Sequence, residues 1–62
     1  MYRVRIRIPW TNGIKAHTEP VDRLSAAWAQ IDLIENASMR PVAVEAIEEW
    51  IEGQWVSVTD RF

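Results

Sequence analysis

Arg3, Arg5 and Arg7 alternate with Tyr2, Val4, Ile6 and Ile8 at the start of the chain. Guanidinium groups bind phosphate and carboxylate oxygens bidentately. On a strand, residues two apart share a face and stand about 6.6–6.8 Å from one another, close to the phosphate repeat of a nucleic-acid strand. Arg3, Arg5 and Arg7, with Lys15 nearby, are therefore candidates for tracking a sugar–phosphate backbone while Tyr2 or a tryptophan stacks on bases. The competing reading, and the preferred one, is structural. Arginines facing glutamates on a neighbouring strand contribute from tenths of a kcal/mol to about 1 kcal/mol per pair and neutralise the face.

The glutamates for such pairing come from Glu45-Ala46-Ile47-Glu48-Glu49-Trp50-Ile51-Glu52. Hard-cation sites mix Asp, Asn and backbone carbonyls on a glycine-containing loop, which this segment lacks. Cysteine is absent and His17 is the single histidine, so zinc sites built from Cys or several His are excluded. No metal and no cofactor is expected. A catalytic carboxylate pair needs a pocket that separates its pKa values, and a chain this short has little room for one. Ser25, Ser38 and Ser57 lie in no nucleophile-elbow context, and Gly13 and Gly53 make no phosphate loop. His17 reads as a surface loop residue. No catalytic residue is assigned, and an enzyme is the least favoured class. The segment fits instead a solvated or partner-facing surface, with Glu45, Glu48, Glu49, Glu52, Trp50 and Trp55 as the candidate partner-binding residues.

The elements that must carry these residues follow from periodicity. Alternation from Tyr2 to Trp10 specifies a strand with one apolar and one arginine face, with Pro9 at the strand end or on an edge. Asn12-Gly13 suits a tight hairpin turn, with Ile14, Ala16 and Thr18 continuing as a second strand. A helix follows. Thr18 or Asp22 is placed to cap it, Pro20 belongs in its first turn, and Asn36 can end it in the left-handed conformation. Leu24, Ala27, Trp28, Ile31 and Ile34 form its apolar stripe, which places Trp28 in the core. Ala26, Ala29 and Leu33 form a second apolar strip.

The last third has two readings. Residues 41–53 form a helix with its glutamates on one side, or Val42–Ile51 and Gln54–Thr59 form a hairpin about Glu52-Gly53 with Trp50 across from Trp55. The hairpin needs a bulge near Ala46–Glu49. It is preferred because the first strand needs sheet neighbours and a lone two-stranded hairpin is marginal. The expected fold is thus α+β: a small antiparallel sheet in β-β-α-β-β order with one helix packed on one face. The alternative is β-α-α-β.

Length sets the remaining limits. Sixty-two residues make one small domain over residues 1–62, with a stability margin of a few kcal/mol. Without disulfides, reinforcement falls to heavy side chains, such as Trp10, Trp28, Trp50 and Trp55, or to self-association. No apolar run reaches the length of a membrane span, and Met1-Tyr2-Arg3-Val4-Arg5 does not open a signal peptide, so a cytoplasmic setting without membrane contact is expected. The net charge of −2 hides a basic segment, residues 1–17, and an acidic remainder. The leading expectation is a non-enzymatic protein-interaction module, a small accessory or inhibitory protein of the phage or mobile-element size class. The alternatives are a nucleic-acid-binding domain using Arg3, Arg5 and Arg7, and a homodimer or other homo-oligomer.

Overall fold

A computed structural model describes residues 1–62. The alternating segment forms β1 (Tyr2–Ile8), and a short 3-10 turn at Pro9–Thr11 closes it. Asn12 and Gly13 take positive φ angles of 61° and 72° and turn the chain into β2 (Ile14–His17). Helix α1 spans Leu24–Ser38. Strands β3 (Ala43–Ile51) and β4 (Gln54–Ser57) form the second hairpin, followed by a 3-10 turn at Thr59–Arg61. All pairings are antiparallel and the strand order is β2-β1-β3-β4. This is the β-β-α-β-β arrangement, with α1 against one face of the sheet. Of the stretch with two readings, residues 43–51 are strand and not helix, which gives β1 a second neighbour.

The two inner strands meet out of step at one place. Arg5 faces Ala46 but Ile6 faces Val44, which leaves Glu45 as the extra residue of a β-bulge. The bulge thus lies one residue before the Ala46–Glu49 stretch. Beyond it Ile47 returns to the α1 side and joins the core.

Between α1 and the sheet, Val4, Ile6, Ala27, Ile31, Val42, Ile47 and Val58 are buried together, with Ile8, Trp10, Val21, Leu24, Ile34 and Ile51 packed at the margin. Ala27 is fully buried, and its small side chain lets the helix approach the sheet closely. That choice of contact line displaces Trp28. It sits one helical step, about 100°, from Ala27, and stays exposed on the flank of α1 rather than entering the core.

Both helix ends differ from expectation. Tyr2 and Val21 exchange backbone hydrogen bonds of 2.7 and 2.8 Å, which holds the chain before α1 extended alongside β1. Helix formation therefore waits until Leu24. Arg23 stands at the N-cap without a side-chain bond, and neither Thr18 nor Asp22 caps. Thr18 is buried instead, and its Oγ1 accepts the Val4 N–H at 2.9 Å. Asn36 lies inside the helix. The left-handed residue is Met39, at φ 57°, just before Pro41 excludes further helix. The Glu35 carboxylate accepts the Val42 N–H at 2.9 Å and ties this end to β3. No helix is long and apolar enough to cross a membrane.

Candidate functional site

Side chains directly opposite one another on paired strands share a face, so the register assembles the helix-free side of the sheet. Lys15 and His17 come from β2, and Arg3, Arg5 and Arg7 from β1. Strand β3 supplies Ala46 and Glu48, which stand opposite Arg5 and Arg3. Trp50 of β3 faces Trp55 of β4. Glu45 joins them because its place in the bulge aims it at Arg5 and Lys15.

Glu48 is the hub. Although charged, it is only 8% exposed. Arg3 Nε donates to its Oε1 at 2.7 Å, His17 Nε2 lies 3.5 Å from the same oxygen, and Arg5 Nη1 is 3.9 Å from Oε2. A carboxylate taken this far out of water needs charge-assisted partners. Arg3 also stacks over the Trp55 ring, 4.4 Å from its centroid, and Trp50 meets Trp55 edge-on at 5.3 Å. The sequence Glu48–Arg3–Trp55–Trp50 is thus one continuous set of contacts running from the middle of the face to one end.

The other end is built differently. Arg7 stands directly across from Lys15, cation opposite cation. Lys15 Nζ reaches Glu45 at 3.8 Å, whereas Arg7 has no carboxylate within ion-pair distance and is exposed. Arg5 Nε, between the two ends, is buried without a hydrogen-bond partner, and its nearest carboxylate oxygen is Glu45 Oε1 at 3.9 Å. Four Lys/Arg side chains therefore share the face with two carboxylates, and the surplus positive charge lies at the Arg7–Lys15 end.

The candidate residues read from sequence are divided by this geometry. Arg3, Arg5, Arg7, Lys15, Glu45, Glu48, Trp50 and Trp55 come together. Glu49 does not: it points to the α1 side, where Arg61 Nη1 donates to it at 2.9 Å. Glu52 lies in the β3–β4 turn at φ 49°, exposed and unpaired. The glutamates thus do not form one acidic surface. Tyr2 is also on the α1 side, against Phe62 in an edge contact at 6.3 Å, and cannot stack on a ligand held by the arginines. His17, read as a loop residue, is the last residue of β2 and belongs to the Glu48 cluster. Its alternation with Ile14 and Ala16, in step with Lys15, was the available signal.

Chemically, the face offers guanidinium and ammonium donors, one buried carboxylate that fixes two of them, and an exposed indole edge. Two shallow depressions lie elsewhere, at the ends of α1, lined by residues such as Pro20 and Arg23 at one and Met39 and Pro41 at the other. No protein-family model, curated protein or solved structure matches this chain.

Proposed function

We propose that this chain is a non-enzymatic protein-interaction module, of the accessory or inhibitory kind, that holds a larger partner on the helix-free face of its sheet. The observation that carries the reading is Trp50: it keeps 46% of its surface exposed on a face that no element of the chain covers. Tryptophan and arginine are the residue types that most often dominate protein interfaces, provided they are central and fixed. Here they are fixed in advance. Glu48 holds Arg3 against Trp55, and Trp55 supports Trp50, so little side-chain freedom remains to be lost on binding. The glutamates take a different part from the one their clustering suggests. Glu48 positions Arg3 and Glu49 is held by Arg61, so the aromatic corner rather than a run of carboxylates makes the contact.

The test is affinity capture of the partner, followed by titration of the purified partner with Trp50→Ala and, as the control on the opposite side, Leu33→Ser. Loss of binding with the first variant alone supports the reading. Loss with Leu33→Ser alone overturns it and moves the contact to the outer strip of α1, where Leu33 is 70% exposed.

The exposed Arg7 and Lys15 favour one second reading, a nucleic-acid-binding face. It predicts micromolar or tighter binding of oligonucleotides that collapses between about 50 and 200 mM salt, measured by fluorescence anisotropy.

A further inference from the structure

We infer that the partner contributes an extended peptide segment, acidic at one end and apolar at the other, which lies along the helix-free face from the Arg7–Lys15 end to Trp50. The inference rests on the reading of this face as the contact surface and adds the chemistry of what it holds.

Three observations lead there. First, Arg7 and Lys15 occupy directly opposed positions on neighbouring strands. Like charges so placed repel, and the fold supplies Glu45 to Lys15 but nothing to Arg7. Arg7 is left for a carboxylate arriving from outside, which would also offset its repulsion with Lys15. Second, the other end is aromatic and prearranged. The Trp50 backbone N–H donates to the Met1 carbonyl at 2.9 Å, so Trp50 stands level with Met1, six residues before Arg7 in the chain. At the rise of an extended strand that separation is about 20 Å, matched by about six residues of extended peptide.

Third, the ground between the two ends is already neutralised. Glu45 and Glu48 lie there, paired to Arg3, Arg5 and Lys15. A sugar–phosphate strand carries a charge on every nucleotide and would set phosphates over these carboxylates. A peptide can place its charges at one end and leave its middle neutral. The chain's own net charge of −2 disfavours a polyanion further. Charge complementarity is thus local, and it selects a peptide over a nucleic acid.

The experiment is selection from a random-peptide library on the intact chain, run in parallel on Trp50→Ala and on the double variant Arg7→Glu, Lys15→Glu, with folding of each variant checked by circular dichroism. The original chain should enrich peptides with two or more Asp or Glu at one end and a bulky apolar residue about six positions away. The charge-reversed variant should enrich Lys or Arg at that end and keep the apolar residue. Trp50→Ala should lose the apolar preference. A synthetic copy of the best peptide should bind the milder variant Arg7→Gln, Lys15→Gln at least about tenfold more weakly. Acid-free peptides, identical selections on the original and charge-reversed chains, or no enrichment at all would overturn the inference while leaving Trp50 to be judged on the whole partner. Acidic peptides indifferent to Trp50→Ala would overturn the interface reading on which it rests. Oligonucleotides that bind more tightly than any selected peptide, and lose that binding in the Arg7→Gln, Lys15→Gln variant, would replace the peptide with a nucleic acid.

Discussion

On the side of the sheet that α1 covers, Val4 and Ile6 are at 0% and 1% exposure; on the other side Trp50 keeps 46%. Both sides come from the same strands, one residue apart. The covered side is held mainly by apolar contact among Val4, Ile6, Ala27, Ile31, Ile47 and their neighbours, with the Arg61–Glu49 pair beside it. The uncovered side is held by an ion cluster about Glu48 and by the Arg3–Trp55–Trp50 stack. A chain of this length has one helix to spend on two faces. The difference teaches where each kind of interaction is used: burial supplies the stability of the fold, and the polar and aromatic side is arranged so that it stays in water without collapsing, yet retains one unsatisfied cationic end and one exposed indole.

The sharpest way to break that comparison is to remove volume from the covered side. Ile6→Ala should cost about 2–5 kcal/mol, most of the margin a domain of this size has. Urea titration followed by tryptophan fluorescence will then show a large unfolded fraction without denaturant. A cost below about 1 kcal/mol would mean that the core is not where the stability resides.

Next in size is Glu48→Gln, which keeps the shape of the hub and removes its charge. With Arg3 and Arg5 left beside a neutral amide, a loss of about 1–2 kcal/mol is expected in thermal or chemical melts. Adding Arg3→Gln should recover part of it, because the two changes act on one contact.

Trp50→Ala separates stability from binding. Its edge contact with Trp55 is worth about 0.5–1.5 kcal/mol to the fold, while as an interface anchor its loss should weaken the partner complex by about 2 kcal/mol or more, roughly thirtyfold. The smallest effect has the opposite sign. Replacing Arg7 and Lys15 together by Gln removes two like charges facing one another, so the melt should move to slightly higher stability, by some tenths of a kcal/mol. A clear destabilisation would mean that Arg7 also has a partner within the fold, or that the Lys15–Glu45 pair outweighs the repulsion.

Much of this arrangement was legible in the sequence, and the exceptions have physical causes. Period-two alternation in residues 2–10 gave β1 and the sidedness of Arg3, Arg5 and Arg7, because a strand has no other way to present them. Asn12-Gly13 and Glu52-Gly53 marked both hairpin turns, and the Trp50–Trp55 pair followed from the second. The bulge was legible to within one residue; its exact place at Glu45 was not, because it depends on how β3 meets β1, a pairing more than thirty residues distant in the chain. The start of α1 was misplaced because Thr18 has a better partner in the Val4 N–H than in a helix end. Trp28 was misplaced because period 3.6 fixes a stripe but not its centre line, which small Ala27 decides. The division of the glutamates between faces followed from the bulge and the register, so composition alone showed a cluster where the fold makes a hub, a lateral ion pair and a turn residue.

The most direct measurement uses the four tryptophans as internal reporters. Their indole N–H groups give separate signals in a nitrogen-15 correlation spectrum, and they lie in different parts of the molecule: Trp50 and Trp55 on the helix-free face, Trp28 on the flank of α1, Trp10 beside the core. Titration with the selected peptide or the purified partner should move the Trp50 and Trp55 signals and leave Trp10 and Trp28 in place. Movement of Trp28 with Trp50 and Trp55 unchanged would contradict the account and put the contact on the helix.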